Sequence, residues 1–295
     1  MKIRFWGVRG SIPTPGPNTV KYGGNTTCIE IRTDQGELII LDGGSGIYIL
    51  AQELIKELPI EAHIFITHTH WDHIHGLPFF TPLFIPGNKI NLYGGFDVVA
   101  GRSIEHAMTT QFQYSYFPVR EAELKAGLEY TTIRADESIR IGDATITPTL
   151  MNHPVLNFGY RVESNGKSVF FTGDHEPRYN IFESGDETHA EYQRMIDERD
   201  QLLVSSMQGV DILIADSSYT VEEYPAKKGW GHGTFDSSLD FAKKANVKRL
   251  FFTHHEPTRT DADLERVFSD IKLRYPRTGG DPDYSLAQEG LEIEL

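Results

Sequence analysis

Thr67-His68-Thr69-His70-Trp71-Asp72-His73 places four potential metal ligands in six consecutive residues, directly after the apolar run Ile64-Phe65-Ile66. Side chains alternate along an extended segment, so His68 and His70 face the same way. Asp72 and His73 follow at the start of a helix that Pro78 cuts short. Imidazole and carboxylate suit zinc and its first-row neighbours. A lone histidine reads as packing or surface. Three imidazoles and a carboxylate clustered without a cation would be costly to bury. The stretch therefore predicts a metal centre at the end of a buried strand, here residues 63–67.

Upstream of it, residues 3–6, 28–31 and 37–41 read as short strands. Gly43-Gly44-Ser45-Gly46 closes that series, and residues 47–58 have helical spacing up to Pro59. Downstream, a second set of strands is expected at 90–93, 130–133, 139–141, 145–150, 158–163 and 168–172. Helices are expected at 187–208, 236–245 and 261–275, with buried strands at 212–215 and 249–253. Strands then helix, twice over, imply two similar halves whose sheets stack face to face with helices outside. The whole of 1–295 reads as one domain. An insertion at about 96–128 carries Phe112, Tyr114, Tyr116 and Phe117. It reads first as packing on the core or on a second copy in a homodimer, and second as a lid over a substrate ring.

The chain has 295 residues, 39% hydrophobic and 24% charged, with a formal charge of −14. That acidity argues against bulk nucleic-acid binding. Two divalent cations would return about four positive charges to one spot, enough to draw in a small anionic substrate. The single Cys28 excludes an internal disulfide and a cysteine-based metal cluster. No stretch has the length of a membrane span, and the first residues lack a signal-peptide pattern, so a cytoplasmic location is expected.

His-X-His-X-Asp-His after a short apolar strand resembles the metallo-β-lactamase superfamily. Asp42-Gly43 resembles its Asp-Gly turn, His153 its next ligand, Thr172-Gly173-Asp174 its Gly-Asp element, and Thr253-His254 its last ligand at a strand end. The resemblance implies an α/β fold, the four-layer αββα sandwich. It implies that His68, His70 and His153 hold one metal, that Asp72, His73 and His254 hold the other, and that Asp174 bridges them. His255 adjoins His254 and remains an alternative. Asp42 is expected to orient a ligand rather than to be one. The metals are expected to be zinc, with manganese or iron fitting nearly as well.

Two such cations activate water, so hydrolysis needs no nucleophilic side chain. Gly231-His232-Gly233-Thr234 and Asp211-Ile212-Leu213-Ile214-Ala215-Asp216 resemble the tRNase Z and cyclic-nucleotide phosphodiesterase branch. The resemblance implies that His232 is the general acid and Asp216 its partner, beside Asp72 at the metals. Arg9 and Asn25 are candidates for a phosphate contact, although their glycine neighbours read equally as tight turns. His175 and Glu176 are candidates for the pocket wall. A small phosphodiester such as a cyclic nucleotide is the favoured substrate. The chain shows no Gly/Pro-rich arm or basic stripe, which counts against tRNA 3′-processing. A carbonyl hydrolase (lactonase, thioesterase or β-lactamase) and a non-catalytic metal scaffold or sensor are the rival readings.

Overall fold

A computed structural model describes residues 1–97, 99 and 101–295. Among the described residues, fourteen strands form two seven-stranded sheets. The first has β1 (Lys2–Gly7), β2 (Cys28–Arg32), β3 (Leu38–Leu41), β4 (Glu61–Phe65), β5 (Lys89–Gly94) and β6 (Gly127–Thr132) in sequential order, with β14 (Glu292–Glu294) beside β1. The second holds β7 (Ile139–Ile141), β8 (Ala144–Leu150), β9 (Phe158–Ser164), β10 (Lys167–Phe171), β11 (Ile212–Asp216), β12 (Arg249–Thr253) and β13 (Asp283–Leu286) in sequential order. Each sheet is antiparallel on one side and parallel on the other. β3 to β6 run parallel in the first, and β10 to β13 in the second.

Four layers follow from burial. Ile3, Phe5, Ile29 and Ile31 of the first sheet meet Ile146, Tyr160, Val162 and Ile212 of the second in a core between the sheets. Parallel strands covered on both faces are apolar throughout, as Leu38–Leu41 is. β12 divides its side chains in alternation: Phe251 enters the inter-sheet core, while Leu250 and Phe252 face the helices outside. Those helices are α4 (His189–Met207), α5 (Phe235–Lys244) and α6 (Asp261–Arg274). α5 and α6 begin with capping boxes, in which Thr234 and Thr260 accept from the backbone of Ser237 and Asp263. On the opposite face α1 (Gly46–Leu54) buries Ile47, Leu50, Ala51 and Leu54. The remaining helices are the four-residue α2 (Trp71–Ile74) and α3 (Ile104–Gln111).

The αββα sandwich is thus present, with differences from the sequence reading. β5 and β6 belong to the first sheet rather than to a second set. The parallel β5–β6 pair requires a crossover, and residues 95–126 supply it, with Val98 and Ala100 outside the described residues. α3 on this crossover buries Ile104 and Met108 against the first sheet's outer core, joined by Phe112, while Tyr114 and Tyr116 are exposed. The expected strand at 63–67 ends at Phe65, because the Thr67 amide leaves the ladder and donates to Asp42 Oδ1 at 2.8 Å. α2 starts at Trp71, one residue before Asp72. No described helix is long and apolar enough to cross a membrane.

Candidate metal centre

One end of the sandwich collects the strand termini. Asp42 follows β3, His68 to His73 follow β4, His153 follows β8, Asp174 follows β10, Asp216 ends β11 and His254 follows β12. Asp42 and His254 both adopt positive φ, +63° and +57°, each at the residue where its strand turns sharply into the site. A non-glycine residue in that region is unusual and persists only where its surroundings hold it.

Two groups of ligand atoms share Asp174. In the first, Asp174 Oδ2 lies 3.4 Å from His68 Nε2 and 3.8 Å from His153 Nε2, and His70 Nδ1 lies 3.1 Å from His153 Nε2. In the second, Asp174 Oδ1 lies 3.2 Å from both His73 Nε2 and His254 Nε2. Asp72 Oδ2 completes it at 3.4 Å from His73 and 3.3 Å from His254. Two donors bound tetrahedrally at zinc distances stand about 3.3 Å apart. Among the described residues, His68 Nε2, His73 Nε2 and Asp174 Oδ1 are buried without a hydrogen-bond partner, despite these close approaches. Orphaned donor atoms at ligand-to-ligand spacing fit a pair of cations.

For His73, His153 and His254 the opposite ring nitrogen is held by the protein, which fixes the atom turned inward. His73 Nδ1 donates to Asp42 Oδ2 at 2.7 Å. Asp42 also accepts from the Thr67 amide and hydroxyl. His153 Nδ1 donates to the Gly231 carbonyl at 2.9 Å. His254 Nδ1 lies 2.9 Å from Ser218 Oγ, which is 2.8 Å from Asp216 Oδ1. His255 points elsewhere, its Nε2 donating to the Ala287 carbonyl at 2.9 Å.

His232 stands between the two groups. Its ring stacks on His254 at 4.6 Å and lies 5.5 Å from His153. Nδ1 is 2.9 Å from Asp216 Oδ2, so Nε2 is the nitrogen left for a ligand or substrate. Burial alone would depress this imidazole, but Asp216 and then Asp174 raise it above the ordinary histidine value. Asp174 has the converse balance. Burial disfavours its charge, yet the imidazoles around it, led by His254 and His73, hold it well below the usual carboxylate range.

Arg9 and Asn25 do other work. Arg9 is fully buried, and its guanidinium donates to the carbonyls of Gly23 and Arg259 at 2.8 and 2.6 Å. Asn25 is tied to Glu289 and Ser45. Their loop still shapes the site, since the Ser11 amide donates to Asp72 Oδ2 at 2.7 Å. A Cβ on Gly10 would sit 2.2 Å from the His254 ring. His175 packs on Phe241, and burial pushes it down to about 3.

Glu176 carries a role that residue type alone did not reveal. Its buried carboxylate accepts from Tyr224 Oη and the Gly229 amide at 2.7 Å, and from the Gly231 amide at 2.9 Å. It thereby anchors the loop bearing both His232 and the carbonyl that orients His153. Gly231 is required there, because its φ is +92° and a Cβ would meet His153 at 2.3 Å. The spacing Gly229-Trp230-Gly231-His232-Gly233 was the available signal.

Ribonuclease BN of Proteus mirabilis (strain HI4320) is 24% identical, over 92% of this chain and 97% of its own length. The structure of zinc-bound PqqB from Methylobacterium extorquens superposes with a TM-score of 0.69 at 14% identity, covering 100% of both chains. A diphosphatase of the PhnP family superposes at 0.64 with 20% identity, covering 100% of this chain and 97% of that one. A family model described as "Beta-lactamase superfamily domain" matches residues 39–255. With that match spanning β3 to the strand end at His254, the chain belongs to the β-lactamase superfamily and is a metal-dependent hydrolase of that fold.

Proposed function

We propose that the protein is a dinuclear metal-dependent phosphodiesterase acting on a small phosphodiester. The observation that carries this reading is Asp174, whose two oxygens each face a separate group of imidazoles at ligand spacing. His68, His70 and His153 would hold one divalent cation, Asp72, His73 and His254 the other, with Asp174 between them. Two cations held there supply an activated water and offset negative charge on a phosphoryl oxygen. The donor set suits zinc, with manganese or iron as near equals.

The chain's own residues handle the leaving group. His232 is the general acid, donating from Nε2 to the departing oxygen. Asp216 holds Nδ1 and so fixes both tautomer and ring plane; the raised proton affinity of His232 supports an acid that is charged at neutral pH. Asp72 would be a ligand beside His73 and His254, and the oxygen that faces them is itself held by the Ser11 amide.

A ribonuclease reading is favoured by the similarity to ribonuclease BN, and it weakens the argument from overall acidity against an RNA substrate. Both readings share the scissile phosphodiester. The test is elemental analysis of purified protein joined to a substrate panel: a bis-aryl phosphodiester, a cyclic nucleotide, a pre-tRNA, a lactone and a cephalosporin. The proposal expects close to two metals per chain and turnover of the phosphodiesters. Turnover of the carbonyl substrates alone would refute it.

A further inference from the structure

A cavity of about 440 Å³ opens beside the metal centre, with His153 in its wall. It is lined by Arg178, Tyr179, Tyr192 and Arg199, the last two from α4. Its volume falls in the range of small-molecule sites. Two arginines and one carboxylate line it, in a chain of net charge −14. Arg178 is paired with Asp200 at 3.0 Å, whereas the exposed side chain of Arg199 makes no ion pair or hydrogen bond among the described residues. Lys228, which is not in the wall, lies 3.8 Å over the Tyr179 ring. The one acidic side chain in the wall, Glu176, is engaged by the Tyr224 hydroxyl and two backbone amides, so its oxygens already have donors.

We infer that this cavity is a second subsite, which takes a non-scissile phosphate and the nucleoside attached to it. Arginine suits phosphate because its planar fork can make paired, charge-assisted hydrogen bonds. Tyr179, with one face covered by Lys228, and Tyr192 supply aromatic surface in the wall for a base, and the cavity is far roomier than a phosphate alone requires. The substrate class is then a linear, terminally phosphorylated di- or oligonucleotide rather than a cyclic nucleotide, which has no second phosphate to place here. This inference rests on the phosphodiesterase reading of the neighbouring centre.

The test compares kcat/KM for a dinucleotide phosphorylated at its 5′ end, one phosphorylated at its 3′ end, and the bare dinucleoside monophosphate. Wild-type protein and the variants Arg199→Gln and Arg199→Glu are used. At least one phosphorylated form should be preferred by about tenfold or more, and both variants should erase the preference, Arg199→Glu more fully. Calorimetric binding of adenosine 5′-monophosphate to the metal-loaded protein should weaken in parallel. No preference for either phosphorylated form, with adenosine 5′-monophosphate binding indifferent to both variants, overturns the subsite. Binding that responds to Arg199 in a protein that cleaves no phosphodiester, the bis-aryl ester included, keeps the subsite and removes only the reaction assigned to the metal centre.

Discussion

The two sheets contribute to the site in different ways. The first delivers His68, His70, Asp72 and His73 from one short stretch after β4, and braces it with Asp42 just after β3 and the Ser11 amide. The second delivers His153, Asp174, Asp216 and His254 from four separate strand ends, and His232 from a loop held by Glu176. In the first sheet the site is set by local chain geometry and a few hydrogen bonds within adjacent parallel strands. In the second it depends on the register of four strands and on a long loop whose regular structure is one short 3-10 turn, Tyr224–Ala226. Asp174 is where the two arrangements meet, since its oxygens face histidines from both sheets.

The largest effect is therefore expected at the meeting point. Asp174→Ala should lose metal and activity together, the latter by about a thousandfold or more, as read by elemental analysis and turnover. Full metal occupancy in that variant would break the division into two groups that share one carboxylate. Next comes the second sheet's loop. His232→Ala should keep its metals and slow cleavage by roughly 10²–10⁴ for poor leaving groups, and much less for an aryl leaving group. Equal slowing across leaving groups would remove its role as acid. The pH profile gives the sign. The acid form of His232 is present below its raised pKa, so activity should fall as pH rises through that value. Asp216→Asn removes the largest raising influence and should move this alkaline limb to lower pH.

A smaller effect belongs to the brace of the first sheet. Asp42→Asn should cut metal affinity by about 10–100-fold, because it frees the Nδ1 side of His73. The smallest is expected for Glu176→Gln. Its loss should slow cleavage of poor leaving groups by about tenfold with metal content nearly unchanged, since the loop loses charge-assisted hydrogen bonds but no ligand. Should Asp42→Asn prove harmless and Glu176→Gln strip the metals, the contrast between a locally set half and a loop-dependent half would be reversed.

The same contrast explains what the sequence made legible. His68 to His73 could be read from spacing alone, because strand and helix periodicity act within a few residues. His153, Asp174 and His254 carry no local pattern; each is one residue at one strand end, and only resemblance to a family pointed to them. The αββα layering was legible from the order of apolar runs. β13 and β14 were not, since Asp283–Leu286 and Glu292–Glu294 are short and partly polar. They are strands because β12 and β1 offer them free edges. Arg9 invited a phosphate role by its charge and glycine neighbours, yet full burial against backbone carbonyls makes it a structural tie. Glu176 gave no sign of its role, because a carboxylate that accepts backbone amides looks like any other acidic residue until the loop is folded around it.

The most direct test is the anomalous scattering of a metal-loaded crystal, recorded at the absorption edge of the metal that elemental analysis identifies. Two peaks are expected a few ångströms apart on either side of the Asp174 carboxylate, one within bonding distance of His68, His70 and His153, the other of Asp72, His73 and His254. A single peak, or two peaks with His153 or His254 beyond bonding distance, would contradict the dinuclear centre on which the proposed chemistry rests.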